Sequence, residues 1–381
     1  MTPEDSAPRV RRVTLADFRS YPALDLAGLG RIVALTGANG AGKTNLVEAI
    51  SLFAQGRGLR RAEPDALARA GGGGGFSVAL EIGAETAWHS LGLGWTPGAA
   101  EEPGRRRHRV DGSTVASGSA FAEHLRVVWL TPAMDGLFSG PPGDRRRFLD
   151  RATLAVDPGH GARVSRLERQ LRARNRLLED RAEARWLDAA ERELAEVAVA
   201  TAAARLDLVR RLAGLIDAGE AGAEGFPRAA LALDGALEAE LADAPALDVE
   251  DAYRHRLRES RGRDAAAGRT LEGPHVSDLR VAMAATGAPA GRSSTGEQKA
   301  LLAGLVLAHA RLVRRLSGIA PTLILDEVAA HFDPGRRAAL YAAIDALEGQ
   351  AFLTGADPSA FAELPADAAR FVVAAGTVRT A

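Results

Sequence analysis

Two short motifs at opposite ends of this chain have to meet around one phosphate group. Gly37-Ala38-Asn39-Gly40-Ala41-Gly42-Lys43-Thr44 fits the P-loop pattern G-x-x-x-x-G-K-[ST]. Pro321-Thr322-Leu323-Ile324-Leu325-Asp326-Glu327 is an apolar run that ends in two carboxylates, the Walker B pattern. The run Ile32 to Thr36 reads as a strand leading into the P-loop, and Asn45 to Phe53 as the helix leaving it. That context lets backbone N–H groups and a helix N-terminus face phosphate oxygens. The expected fold is therefore α/β: one P-loop ATPase lobe drawn from both ends of the chain, with a mostly helical second lobe inserted between them.

The basic residues sharpen the reading. Of 48 Lys+Arg, only Lys43 and Lys299 are lysine, and each closes a motif. A compact ammonium and a planar guanidinium are not interchangeable. Lys43 is expected to reach the β- and γ-phosphates of ATP, and Thr44 to ligate Mg²⁺. Asp326 would hold the Mg²⁺ shell. Glu327 would act as general base on the attacking water, so Lys43, Asp326 and Glu327 form the expected catalytic set.

Lys299 closes Ser294-Thr295-Gly296-Glu297-Gln298-Lys299, ahead of a long helix beginning near Gln298. One reading is an ordinary helix start, with Ser294 and Glu297 forming a capping box. The other is an anion site at a helix N-terminus, and the segment looks like the signature motif of ABC-type ATPases. In that class the signature loop contacts the γ-phosphate bound to the other subunit. Ser294, Gly296 and Glu297 would then complete a site in trans, and ATP would join two copies into a homodimer. Asp333 lies where a D-loop aspartate of that class would lie.

Other patterns place the remaining elements. Strands are expected at Val10 to Leu15, Phe76 to Ile82, Val127 to Leu130, Leu279 to Ala284, Phe352 to Thr354 and Phe371 to Ala374, with a hairpin tip at Gly71 to Gly75. Helical spacing with an Ala-, Arg-, Leu- and Glu-rich composition runs from about Gly159 to Leu215 and breaks at Gly219 to Pro227. Asp248 to Arg263 reads as a further helix with Asp248 as its N-cap. The expected division is residues 1–130 for the first part of the ATPase lobe, 131–274 for the helical lobe and 275–381 for the rest of the ATPase lobe.

Several stretches together are similar to the RecF family, relatives of the SMC heads. Asp17-Phe18-Arg19-Ser20-Tyr21 resembles the family's F-R-N-Y, and Gly56-Arg57-Gly58-Leu59-Arg60 its G-R-S-H-R. Val128-Trp129-Leu130-Thr131-Pro132, then Pro141 to Asp150, and Gly273-Pro274-His275-Val276-Ser277-Asp278-Leu279 resemble further family stretches. The resemblance implies a slow ATPase that binds double-stranded DNA with ATP, prefers junctions with single-stranded gaps, and helps RecO and RecR place RecA on DNA during repair and replication restart. It also puts Arg60 where SMC-like heads direct an arginine at phosphate, and Asn45, next after Thr44, is expected to bind the nucleotide too. Thr131, or alternatively Gln55, would stand at the Q-loop. Thr354-Gly355 stands where a switch histidine would be.

A net charge of −1 means that any DNA must be held by local arginine clusters. Candidates are Arg9, Arg11 and Arg12; Arg57, Arg60 and Arg61; Arg105, Arg106, Arg107 and Arg109; and, on the helical arm, Arg163, Arg166, Arg169, Arg172, Arg174 and Arg176. Each cluster is also readable as a solvated face. Arg145 to Arg147 read as structural, braced against Asp144 and Asp150. The 250-residue scale of the gap between Lys43 and Ser294 is too long for a transporter ATPase and too short for long coiled-coil arms. The 54 residues after Glu327 are too few for a nuclease domain. The absence of cysteine, of a signal-like N-terminus and of an 18-residue apolar run makes the cytoplasm the expected location, with no membrane partner.

Overall fold

The computed structural model describes residues 8–84, 87–98, 104–328 and 332–381. The chain forms two compact units. The first takes residues 1–135, 219–227 and 294–381, and the second residues 136–218 and 228–293.

The first unit holds two six-stranded sheets. In one, the strand order is Thr377–Thr380, Ala369–Ala374, Ile32–Thr36, Ala351–Gly355, Thr322–Asp326, Val127–Leu130. All neighbours are parallel except the edge strand Thr377–Thr380. Every residue of Ile32–Thr36, Thr322–Asp326 and Ala351–Gly355 is buried. Parallel strands covered on both faces need such unbroken apolar runs. The order sets Ala351–Gly355 between the P-loop strand and the Walker B strand, with Asp326 opposite Thr354 and Leu35 opposite the same Thr354 on its other side. The ends of three strands are thereby brought level.

The second sheet is antiparallel, ordered Tyr21–Ala27, Arg9–Phe18, Phe76–Ala84, Ala87–Thr96, Arg105–Val110, Ser113–Val115. Here burial alternates, as in Val13, Leu15, Val78, Leu80, Leu91 and Leu93, because one face meets the core and the other solvent. The helix Thr295–Ser317 is capped at both ends, by Ser294 and by Gly318 in the left-handed region (φ 72°). Its middle, Ala300 to Ala310, is buried throughout.

The second unit is a helical arm on a two-stranded ribbon. Helices His160–Glu179 and Ala184–Asp217 pair as a hairpin, and Ala246–Glu259 packs on them. Leu167, Leu171, Leu194, Ala198, Tyr253 and Leu257 form the centre of its core. The ribbon joins Ala229–Asp234 to Asp278–Met283 in antiparallel register.

That ribbon moves an expected boundary. Residues 275–293 were expected in the ATPase lobe but lie in the second unit, because Asp278–Met283 is zipped to Ala229–Asp234. Residues 131–135 and 219–227 instead belong to the first unit. There Phe226 meets Phe332 edge-on at 5.6 Å, and Glu220 pairs with Arg315 at 2.8 Å. Two local expectations also change. Gly71 to Gly75 is no hairpin tip but the approach to Phe76–Ala84, which pairs with Arg9–Phe18 and Ala87–Thr96. The helix expected over Asp248 to Arg263 begins at Ala246 with Pro245 in the cap position, and a new helix starts at Arg261. Asp248 becomes a first-turn acid, favourable to the helix dipole.

Candidate functional site

The P-loop runs from the end of Ile32–Thr36 to the helix Lys43–Ser51. Two of its glycines are required by geometry. Gly37 has φ 149°, and a Cβ there would lie 2.2 Å from the Val373 carbonyl oxygen. Gly42 has φ 114°, and a Cβ would lie 2.9 Å from Ser20 Oγ. The Lys43 ammonium is buried inside the arch, donating to the carbonyls of Gly37 (2.6 Å) and Ala38 (3.0 Å). Asn39 and Gly40 are exposed at the top of the loop, and Ala41 accepts from Gly376 N–H at 3.3 Å.

Thr44, in the first turn of that helix, faces Asp326, which ends the Walker B strand. Its hydroxyl donates to Asp326 Oδ1 at 3.0 Å and lies 3.2 Å from Oδ2. A second hydroxyl, that of Thr354, donates to Oδ1 at 2.7 Å. Glu327 follows with φ 56°, a left-handed conformation for a non-glycine residue. Its N–H is shared between the Thr354 carbonyl oxygen (3.2 Å) and hydroxyl (3.0 Å). A threonine hydroxyl and one carboxylate are hard oxygen donors of the kind Mg²⁺ uses beside substrate phosphates. Among the described residues there is no cluster of three or more His, Cys, Asp or Glu that would hold a metal without help from a ligand. The Thr44 and Asp326 oxygens are donors that would suit an Mg²⁺ held chiefly by phosphate.

A layer of side chains braces the P-loop helix from below. Glu48 is 1 % exposed and takes a bidentate pair from Arg19 (2.9 and 2.8 Å) and a third contact from Arg60 (2.9 Å). Arg60 also donates to Asn45 Oδ1 at 2.9 Å, and Asn45 Nδ2 donates to Ser20 Oγ at 2.9 Å. Tyr21 donates to the Gly42 carbonyl at 3.0 Å, and burial pushes its hydroxyl above the usual phenol range. Asp17 to Tyr21 thus acts as a brace for the P-loop. Glu48 was missed in the sequence, although a carboxylate within the apolar run Leu46 to Ile50 is the kind of signal that marks a buried ion pair.

Ser294 and Glu297 form the capping box: Ser294 N–H and Oγ donate to Glu297 Oε2 at 2.9 and 2.7 Å, and Glu297 N–H lies 3.4 Å from Ser294 Oγ. These hydrogen bonds from Ser294 hold the Glu297 carboxyl below its usual range. Ser294, Gly296 and Glu297 are all exposed. Lys299 pairs with Asp135 at 2.8 Å. Both line a small cavity with Thr131, Asp326 and Phe332, which brings Thr131, one of the two Q-loop alternatives, beside the Walker B carboxylate. Asp333 caps the helix Pro334–Ala346 by accepting from Arg336 N–H at 2.9 Å.

The arginine clusters divide. Arg174, counted among the surface arginines of the arm, is wholly buried, bound to Glu191 (3.0 Å) and Asp264 (2.8 Å). Arg163 pairs with Asp157, Arg166 with Glu196, Arg57 with Glu63 and Arg12 with Asp25. Arg11 lies 4.4 Å over the ring of exposed Trp88. Arg105, Arg106, Arg107 and Arg109 are exposed on the strand next to the short edge strand Ser113–Val115 of the antiparallel sheet. The bracing expected at Arg145 to Arg147 is built differently. Arg145 grips Asp278 at 2.8 and 2.9 Å, Arg146 donates to the Ser277 carbonyl, and only Arg147 pairs with Asp144. Asp150 is taken by Arg205 and His160.

No family model matches the chain. It is 51 % identical over 371 residues to the DNA replication and repair protein RecF of Mesorhizobium japonicum, covering 97 % of each chain. It is 52 % identical over 364 residues to the protein of the same description from Allorhizobium ampelinum, covering 95 % of this chain and 96 % of that one. Its fold superposes on a structure of the recombination mediator protein RecF-ATPrS in the RecFOR pathway with a TM-score of 0.84 at 20 % identity, covering 99 % of both chains. The Smc head domain of Pyrococcus furiosus follows at a TM-score of 0.53 and 16 % identity, covering 98 % of this chain and 96 % of that one. The fold is thus the α/β fold of these RecF and Smc head structures, with an inserted helical unit. On sequence identity across nearly its whole length, the chain belongs to the RecF family of DNA replication and repair proteins.

Proposed function

We propose that this protein is an ATP-dependent DNA-binding recombination mediator, a slow ABC-type ATPase in which hydrolysis times the release of a homodimer. The contact from Thr44 to Asp326 carries the reading. It joins residues 282 apart into one Mg²⁺-compatible pair beside Lys43, which an incidental glycine turn would not do. Lys43 and the backbone N–H groups of Gly40 to Thr44 hold the β- and γ-phosphates, assisted by the N-terminus of Lys43–Ser51. Mg²⁺, when bound, neutralises charge between those phosphates. Glu327 accepts the proton of the water that attacks the γ-phosphorus, and ADP leaves with the bond electrons.

Ser294, Gly296 and Glu297 complete the site of a second copy. Their exposure at a capped helix N-terminus supports this, since a group that serves another subunit must be accessible. The DNA partner is double-stranded DNA next to single-stranded gaps, with RecO, RecR and RecA as pathway partners, as family membership supports. The exposed arginines of Arg105–Val110 supply sequence-independent phosphate contacts. We assign its action to the cytoplasm, as membership of a family of DNA replication and repair proteins supports.

Light scattering with and without ATP and Mg²⁺, followed by binding to a gapped duplex, tests the proposal. A monomer that becomes a dimer with ATP and then binds DNA is the expected result. A particle whose mass and DNA affinity ignore ATP would overturn it.

A further inference from the structure

The end of Ala351–Gly355 carries a polar group to which the proposed hydrolysis gives no part. Thr354 is 1 % exposed and lies in register with Asp326 on the adjacent parallel strand. A hydroxyl has one proton to give and lone pairs to receive. The Glu327 N–H points at Thr354 Oγ1 (3.0 Å), so the Thr354 proton goes to Asp326 Oδ1 (2.7 Å). One side chain thereby ties the Walker B carboxylate to the backbone of the residue after it.

Glu327 needs such a tie. At φ 56° it occupies a region that non-glycine residues enter at a cost, and such conformations persist only where surrounding contacts over-determine them. Its N–H has two acceptors, both on Thr354. The adjoining position cannot share the work. A Cβ on Gly355 would lie 2.9 Å from two ring atoms of Phe361, so position 355 offers no polar side chain.

We infer that Thr354 is a positioning residue for ATP hydrolysis: its hydroxyl holds the Glu327 backbone in the left-handed turn that aims the carboxylate of the base. The inference rests on the reading of Glu327 as general base. Thr354 touches neither water nor phosphate in this role. It acts by fixing where Glu327 leaves the sheet and how the plane of the Asp326 carboxylate lies between two hydroxyls, those of Thr44 and Thr354.

The test uses the full-length protein with Thr354→Val, which keeps the shape and loses the hydroxyl, and Thr354→Ser, which restores it. Steady-state hydrolysis should show kcat reduced about tenfold by valine, the effect of roughly one lost hydrogen bond. KM for ATP should stay within about twofold, because the P-loop is untouched. Serine should recover most of the rate. In the nucleotide-free protein, amide exchange at Glu327 should quicken in the valine variant and stay slow in the serine variant. A parental kcat in Thr354→Val, equal losses in both variants, a change confined to KM, or unaltered exchange at Glu327 would each overturn the inference. Should the valine variant not fold, Thr354→Ala takes its place in every arm. Glu327→Gln runs alongside: if it hydrolyses ATP at the parent rate, the general-base reading fails, while the exchange measurement still decides whether the Thr354 hydroxyl holds Glu327.

Discussion

Arg174 and Asp264, 90 residues apart, meet in an ion pair with almost no access to water: Nη1 to Oδ2 is 2.8 Å, and the side chains are 0 % and 1 % exposed. Glu191, the Thr270 hydroxyl and the Leu257 carbonyl also accept from the Arg174 guanidinium, at 3.0, 2.8 and 2.7 Å. Arg261 in turn bridges Glu191 and Asp188. The cluster pins four helices of the arm together at one point. Breaking a buried pair costs more than the pair contributes, because a charge is left without its partner.

Arg174→Met should therefore destabilise the protein by about 3 kcal/mol. Thermal unfolding followed by circular dichroism would measure it. The loss should come without a change in ATP affinity, since the substitution lies in the unit that does not contain the P-loop. A variant that melts with the parent would show that the network is dispensable.

Acid should weaken the same unit. Burial pushes the Asp150 carboxyl up, but the hydrogen bond from His160 and the Arg205 guanidinium outweigh it and leave the group below its usual value of 3.8. Folded Asp150 then binds fewer protons than unfolded Asp150. Its stabilisation is present above the ordinary value and is lost as pH falls through the lower folded one. Melting temperature should drop more steeply below about pH 4 in the parent than in Asp150→Asn. Parallel curves would remove Asp150 from the account.

Lys43→Arg should reduce ATP hydrolysis by about a hundredfold, the scale of losing one preorganised charge contact. The ammonium sits within 2.6 and 3.0 Å of two loop carbonyls, and a larger planar guanidinium does not fit that arch. Phosphate release assays and ATP-dependent light scattering should both report the defect. Hydrolysis at the parent rate would show that the P-loop is not the site.

Ser294→Arg should separate nucleotide binding from dimerisation. The capping box would be lost, at a cost of about 1 kcal/mol to the helix, while the P-loop of the same chain is unaltered. ATP affinity should remain near parental, and light scattering should show no ATP-driven dimer. Mixed with Lys43→Arg protein, it should restore part of the ATPase, since its intact P-loop can pair with the intact Ser294 of the other chain. Normal dimerisation of Ser294→Arg alone would reduce the segment Ser294 to Lys299 to a helix cap.

What the sequence determined by itself is what is local. Gly37 to Thr44 needs only a strand, a loop and a helix in succession, and Leu323 to Asp326 only a strand, so eight and four neighbouring residues announce their own geometry. The Ser294–Glu297 capping box is equally local and was readable as one of two alternatives. Tertiary structure alone decided the rest, because it depends on which distant groups meet. A buried glutamate such as Glu48 is tolerable only once Arg19 and Arg60 arrive from 29 and 12 residues away. Arg174 looks like any other arm arginine until Asp264 comes within 2.8 Å. The boundary expected at residue 274 moved to 293 because Asp278–Met283 finds its hydrogen-bond partners in Ala229–Asp234. Thr354 acquired a role only when strand order laid it beside Asp326, since periodicity shows which face a residue takes but not which strand will lie next to it.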